Sequence, residues 1–390
     1  MAAPFDPSDD SVVVIIGTGA GGGVLANELA QKGVSVVALE AGGRYLPEDY
    51  VNDEWQSFGQ LAWVDPRTTS GDWRVAKDFS GLPAWIVKAV GGTTTHWAGA
   101  SIRFQDHEWK AKSTYGEVEG ASLLDWPIDA TEMSPWYDLA EKKLGVTRTN
   151  GWPGLPGSNN YLVFETGAKA LGYREVHTGR MAIISHDDAD RTKCQQTGFC
   201  FQGCKWGAKW SAAYTDIPEG EATGNLEVRE RAHVARILHG DDGRITGVEY
   251  FDADGNLQMQ KAKAVCVAGN SFESPRLLLN SASSMFPDGL ANSSGQVGRN
   301  YMRHMTGSVY ATCGAAPRWP GSSRTRRGTT RRAASSVVTN WRHSAWGCRS
   351  WPHSSTPAHG AANLPVHSTP TKIWPACGSS ARTCLRKPTA

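Results

Sequence analysis

Three groups of residues in this 390-residue chain have types and spacings suited to chemistry. Gly17, Gly19 and Gly22 stand in Gly-x-Gly-x-x-Gly order directly after the run VVVII, with Ala20 between them, and Glu40-Ala41 closes the next apolar run. In that context Gly17 permits a sharp turn, Gly19 lets backbone approach a pyrophosphate, and Gly22 lets a helix pack close to a sheet. The helix start supplies N–H donors and positive dipole to phosphates. Glu40 is placed to accept hydrogen bonds from a ribose diol. The second group is Gly91-Gly92-Thr93-Thr94-Thr95-His96-Trp97. Two glycines let amides close on an anion, and the threonines add hydroxyl and amide donors. The third is Cys194, Cys200 and Cys204 in KCQQTGFCFQGCKWGAK, with Gly198 and Gly203 between them. Three thiols in eleven residues suit a loop folded around a soft metal centre. Zinc would want paired Cys-x2-Cys units and a fourth ligand, and a disulfide would leave one thiol over.

The elements that must position these groups follow from hydrophobic period. Residues 12–43 read as strand, tight turn, helix and strand. Residues 44–103 carry many Gly, Trp and Asp and read as loops around short strands. Residues 104–224 mix a helical pattern at 133–145 with Pro/Gly-rich loops, as an insertion does. From Asn225 the period changes to two: Leu226 and Val228, Val234 and Ile237, then Ile245 and Val248 alternate with polar residues. Asp242-Gly243 and Asp254-Gly255 mark the turns. A buried strand at 264–268 then leads into Gly269 and a helical segment at 274–283. An NAD enzyme usually completes its nucleotide domain directly after the first two strands. Here the β-meander and the strand ending in Ala268-Gly269 arrive more than 200 residues later, an arrangement that favours FAD over NAD. The expectation is an α/β fold: a split Rossmann-like FAD-binding domain at 1–103 and 225–311 with a β-meander, and an inserted α+β substrate and electron-transfer region at 104–224.

Charge divides the chain. Residues 312–390 hold ten Arg and two Lys with no Asp or Glu, leaving 28 basic against 38 acidic residues in 1–311. The stretch SSRTRRGTTRRAASS has no apolar period and cannot bury enough surface to offset the entropy of ordering. A basic tail can serve as a nucleic-acid arm, but the Trp, Cys and Pro scattered here do not suit one. Abrupt loss of every acid is the pattern expected of out-of-frame translation or a sequencing error. The start, MAAPFDPSDDS, lacks the basic and apolar regions of a signal peptide. No run of about 18 apolar residues is present to span a membrane.

In three segments the chain resembles the glucose–methanol–choline (GMC) flavoprotein oxidoreductases. They are the Gly17–Glu40 fingerprint, the Gly91–Trp97 loop, and Ala268-Gly269-Asn270-Ser271-Phe272-Glu273-Ser274-Pro275-Arg276 with the following GQVGRN. The resemblance implies FAD held by Gly17, Gly19, Ala20, Gly22, Glu40, Ala41, Gly91, Gly92, Thr93, Thr94, His96, Ala268 and Gly269, with the Val234 backbone at an adenine-contacting position. For His96 it leaves three roles open: covalent attachment to the flavin, packing against it, or structure alone. The cysteine segment resembles that of the gluconate 2-dehydrogenase-like sugar and sugar-acid dehydrogenases. There it implies a [3Fe–4S] cluster on Cys194, Cys200 and Cys204, although some relatives carry a further Cys where Thr197 stands here.

The same resemblance implies a sugar, polyol or sugar-acid substrate. It also implies a small export subunit, a cytochrome c subunit or quinone as acceptor, and membrane attachment only through such a partner. The location would be the periplasmic face of the inner membrane, or otherwise the cytoplasm. No nucleic-acid partner is expected. The family's catalytic base is a His paired with a second His or Asn in a C-terminal segment. Nothing in 312–390 matches it, so no catalytic residue is assigned. The alternative expectation is a catalytically dead FAD-binding piece from a frameshifted gene.

Overall fold

The computed structural model describes residues 5–53, 56, 86–188 and 191–301. The acid-free stretch 312–390 therefore lies outside the described residues. The chain divides into two compact units, one of residues 1–103, 135–155 and 179–301, the other of 104–134, 156–178 and 302–390.

The first unit is organised by a four-stranded parallel sheet. Strand β1 (Val13–Ile16) leads through the glycine turn to helix α1 (Ala20–Gln31) and strand β2 (Val36–Leu39). Both strands are apolar throughout and, apart from half-buried Val13, buried on both faces, as strands of a covered parallel sheet are. β1 pairs with β2 from Val13–Val36 through Ile16–Leu39. On its other side β1 pairs with β7 (Ala264–Val267), so the late strand completes the early sheet as the split arrangement requires. With β3 (Leu226–Arg229) on the far side of β2, the sheet order is β3-β2-β1-β7.

One strand departs from expectation. Leu226 and Val228 read as the head of the meander, yet β3 (Leu226–Arg229) lies parallel to β2 at the sheet edge. Leu226 is buried in the cluster of Ile15, Ala26, Val36 and Ile217, so its apolar face belongs to the sheet core. The meander proper is antiparallel β4 (His233–His239), β5 (Ile245–Phe251) and β6 (Leu257–Lys261). It closes a second core cluster in which Val248, Tyr250 and Ile237 pack with Val14, Val37 and Leu39.

Helices in chain order after α1 are α2 (Asp106–Trp109), α3 (Ala111–Tyr115), α4 (Ala130–Leu144), α5 (Asn159–Ala170), α6 (Asp216–Glu221) and α7 (Asn270–Asn280). α7 begins four residues earlier than its apolar period suggests. Asn270 adopts φ 77° and its Oδ1 accepts from the amides of Phe272 and Glu273, so the Asn270 side chain itself caps the helix. In the second unit Trp109 is buried between Phe104 and Trp126, with ring centroids 5.3 and 6.1 Å away. Residues 179–224, including all three clustered cysteines, fall in the first unit. Among the described residues no helix is long and apolar enough to cross a membrane.

Candidate functional site

The glycine turn is built by contacts that a side chain would destroy. Gly17 has φ 92°, and a Cβ there would lie 2.7 Å from the Ala268 carbonyl oxygen. A Cβ on Gly22 would lie 1.9 Å from the Gly17 carbonyl oxygen and 3.1 Å from the Ala268 Cβ. These two glycines hold the ends of β1 and β7 together. Gly19 differs: its nearest neighbour would be the Gly92 Cα at 4.0 Å. It is the N-cap of α1, with no side-chain cap, and it borders the cavity together with Ala20 and Gly21.

The second loop meets the first at this point. Gly91 and Gly92 both have positive φ and begin a 3₁₀ turn over Gly92–Thr95. Gly91 packs on Ala213, and a Cβ on Gly92 would lie 2.9 Å from the Gly19 Cα. Thr18 joins three segments. Its hydroxyl accepts from the Gly91 amide at 3.1 Å and donates to Glu40 Oε2 at 2.8 Å. Glu40 Oε2 also accepts the Thr18 amide, and Oε1 accepts the Gly42 amide. Burial pushes the Glu40 carboxyl above its ordinary pKa, and these donors pull in the opposite direction.

Around these loops lies a cavity of about 490 Å³. Gly17, Gly19, Ala20, Glu40, Ala41, Gly92, Thr93, Thr94, Val234, Ala268 and Gly269 all line it. Gly22, Gly91 and His96 do not; the two glycines shape the wall from behind. The cavity runs along the carboxyl ends of β1, β2 and β7, where open α/β sheets bind ligands. β4 shifts register between Val234 and Arg236, as at a bulge, and Val234 and Ala235 line the cavity there. Lys88 and Arg276 also line it, Arg276 in an ion pair with Glu273, which lines it as well. A cradle that only glycine fits, two helix N-termini and basic rim residues together fit a dinucleotide with a pyrophosphate.

Sequence reasoning missed several of these contributors. Thr18 is fully buried, and nothing in its local pattern announces its role. Thr94 and Thr95 read as hydroxyl donors for the ligand. Instead the Thr94 hydroxyl bonds the Gly91 carbonyl and Ser211, and the Thr95 hydroxyl donates to the Gly92 carbonyl at 2.8 Å. Their hydroxyls shape the turn, leaving exposed Thr93 to offer a side chain to the cavity.

His96 faces the cysteine segment. Its side chain is buried, with Nδ1 2.6 Å from the Phe201 carbonyl oxygen; a carbonyl only accepts, so Nδ1 carries the hydrogen. Burial lowers its pKa to about 4, keeping it neutral near pH 7. The Tyr50 ring stands edge-on to it at 6.4 Å and also packs against Gly203, where a Cβ would lie 1.9 Å from the ring.

Cys194, Cys200 and Cys204 pack against one apolar cluster with Ile183, Ile184 and Ala208, and all three are free thiols. The Gln196 amide donates to Cys194 Sγ and the Lys209 amide to Cys204 Sγ, each at 3.4 Å. Burial pushes the Cys194 and Cys200 thiols up. The donor set is therefore soft and supplied with amide donors. Among the described residues, however, no group of three His, Cys, Asp or Glu side chains is drawn together as a metal-ion site.

The family profile described as GMC oxidoreductase matches residues 20–306. The chain is 30% identical to the fructose dehydrogenase large subunit of Gluconobacter japonicus, over 79% of this chain and 61% of that protein. It is 31% identical to 2-methyl-1,2-propanediol dehydrogenase of Mycolicibacterium austroafricanum, over 76% and 56%. With the gluconate 2-dehydrogenase flavoprotein of Pantoea cypripedii it shares 26% identity, over 74% and 55%. The chain thus spans between half and two-thirds of the length of these relatives.

Proposed function

This chain belongs to the GMC oxidoreductase family, and from that premise we propose that it binds FAD and oxidises a hydroxyl group of a sugar, polyol or sugar acid. The observation that carries this reading is the cavity where Gly17–Gly22, Gly91–Gly92 and Ala268–Gly269 converge with the end of β2. Bound FAD would supply the oxidant, taking two electrons from the alcohol carbon with its hydride while the hydroxyl proton passes to a base. The chain's residues hold the cofactor. The α1 and α7 N-termini and the 92–95 turn would hold the pyrophosphate, Glu40 would meet the ribose, and Val234 and Ala235 of β4 would border the adenine.

The finer reading is gluconate 2-dehydrogenase-like. A [3Fe–4S] cluster on Cys194, Cys200 and Cys204 would carry electrons one at a time to a cytochrome c or quinone. The support is the donor set: three free thiols on one apolar patch, two of them accepting backbone amides. Such a chain would work at the periplasmic face of the inner membrane beside a small export subunit and a cytochrome subunit. A second reading is an FAD-binding piece without turnover. It is favoured by the stretch 312–390, which holds no acidic residue.

Fructose, gluconate and glucose, each offered with an artificial electron acceptor, separate the two readings. Substrate-dependent acceptor reduction by the 390-residue chain supports the dehydrogenase, and its absence with FAD bound supports the second. Iron and sulfide analysis of anaerobically purified protein tests the cluster, for which three irons per chain are expected. No iron above background removes the cluster and leaves the FAD reading intact.

A further inference from the structure

Lys209 is fully buried, and its described partners are unusual for an ammonium. Nζ donates to the carbonyls of Thr95 at 2.9 Å, Trp97 at 2.8 Å and Cys200 at 2.9 Å, with the Thr94 carbonyl at 3.3 Å. Its amide donates to Cys204 Sγ, and its carbonyl accepts the Tyr214 hydroxyl at 2.5 Å. Burying a charge this way is costly unless the surrounding dipoles are held in place around it. Two of the four carbonyls, those of Thr94 and Thr95, belong to the turn beside the cavity; Trp97 lies two residues past it, and Cys200 belongs to the cysteine segment. The His96–Phe201 contact crosses the same seam, and Tyr50 packs on Gly203 and edge-on to His96.

We propose that Lys209 is a positioning residue that locks the Cys194–Cys204 segment onto residues 94–97, at the end of the 92–95 turn, fixing the separation between the flavin cavity and the cysteine thiols. No carboxylate is needed for this role. A compact ammonium has three donors, and carbonyls from both segments converge on it. Lys209→Met keeps the length and apolar stem but removes every donor. The carbonyls of both segments then lose their shared partner and remain buried, and the segments separate locally. The purpose given to the clamp rests on the electron-relay reading above; the clamp itself does not.

The test uses the full chain and reads alkylation of individual cysteines by mass spectrometry. Cys266, on β7, reports opening of the sheet, and Cys200 reports opening of the seam. For Lys209→Met we expect Cys200 to be alkylated at least about tenfold faster, equivalent to about 1.4 kcal/mol, with Cys266 changing less than about twofold. Equal acceleration at both sites, or none at Cys200, overturns the proposal. If the variant does not fold, hydrogen exchange of the unaltered protein decides. Amides of 94–97 and 200–204 should share one protection level and lose it together in mild denaturant, and independent loss overturns the clamp. Iron content is measured in parallel, so an iron-free protein that keeps the seam closed refutes the cluster while sustaining the clamp.

Discussion

Gly17, Gly19 and Gly22 share one motif but answer to different constraints. Gly17→Ala places a side chain at φ 92° and 2.7 Å from the Ala268 carbonyl. Left-handed backbone alone costs about 1–2 kcal/mol. Gly22→Ala puts a methyl 1.9 Å from the Gly17 carbonyl, and overpacking of that kind costs about 1–3 kcal/mol. Both should lower the thermal midpoint. Gly19→Ala has room in the protein and should unfold as the parent does. Its methyl occupies the approach to α1, so FAD affinity should fall roughly tenfold, about 1.4 kcal/mol. Calorimetry beside an FAD titration separates the two classes. His96 carries a second residue-scale prediction. Its ring lies outside the cavity lining with Nδ1 on Phe201, so FAD should leave the protein on acid precipitation and colour the supernatant. Its folded pKa of about 4 lies below the ordinary 6.5. The unfolded chain therefore binds the proton first as pH falls. Stability from the neutral ring is fully present above pH 6.5 and is lost down to about pH 4, by about 3 kcal/mol. Urea midpoints across that range should flatten in His96→Gln; an unchanged slope assigns the effect to other groups.

At the scale of elements, Thr18 ties the β1 turn, the end of β2 and the 91–95 turn through one hydroxyl. Thr18→Ala strands the Gly91 amide and weakens the hold on Glu40, which should cost about 1–3 kcal/mol. Thr18→Ser should restore most of it, as read by unfolding midpoint and FAD affinity together. This contact also shows where sequence legibility ends. The β1-α1-β2 order and the late strand β7 were readable because β-branched runs and glycine spacing are local signals. The position of β3 was not, because an edge strand of a parallel sheet and a meander strand share the same period-two pattern. Only packing of Leu226 against Ile15 and Val36 decides between them. Ala268 and Gly269 were legible as a strand-to-helix junction. Thr18, the Thr94–Ser211 contact and Lys209 were not, since these tie residues 22 to 117 positions apart; the Thr95 hydroxyl was missed because it turns back on the Gly92 carbonyl three residues before it.

At the scale of the molecule, the described residues build a cofactor cradle from segments far apart in sequence: β1 and β2 near the start, the 91–95 turn, the β4 bulge and β7 with α7. Each contributes one wall of the cavity, and β1 touches both β2 and β7. Cofactor binding should therefore stabilise the first unit as a whole. Saturating FAD at about 100 times Kd should raise its unfolding free energy by about 2.7 kcal/mol, visible as a shift of one cooperative transition. Equilibrium titration of the purified 390-residue chain with FAD and, separately, with NAD tests the central claim most directly, followed by flavin fluorescence and calorimetry. One FAD per chain should bind, more weakly in Gly19→Ala, with no comparable NAD binding. Tighter binding of NAD, or failure of the folded protein to bind FAD, would contradict it.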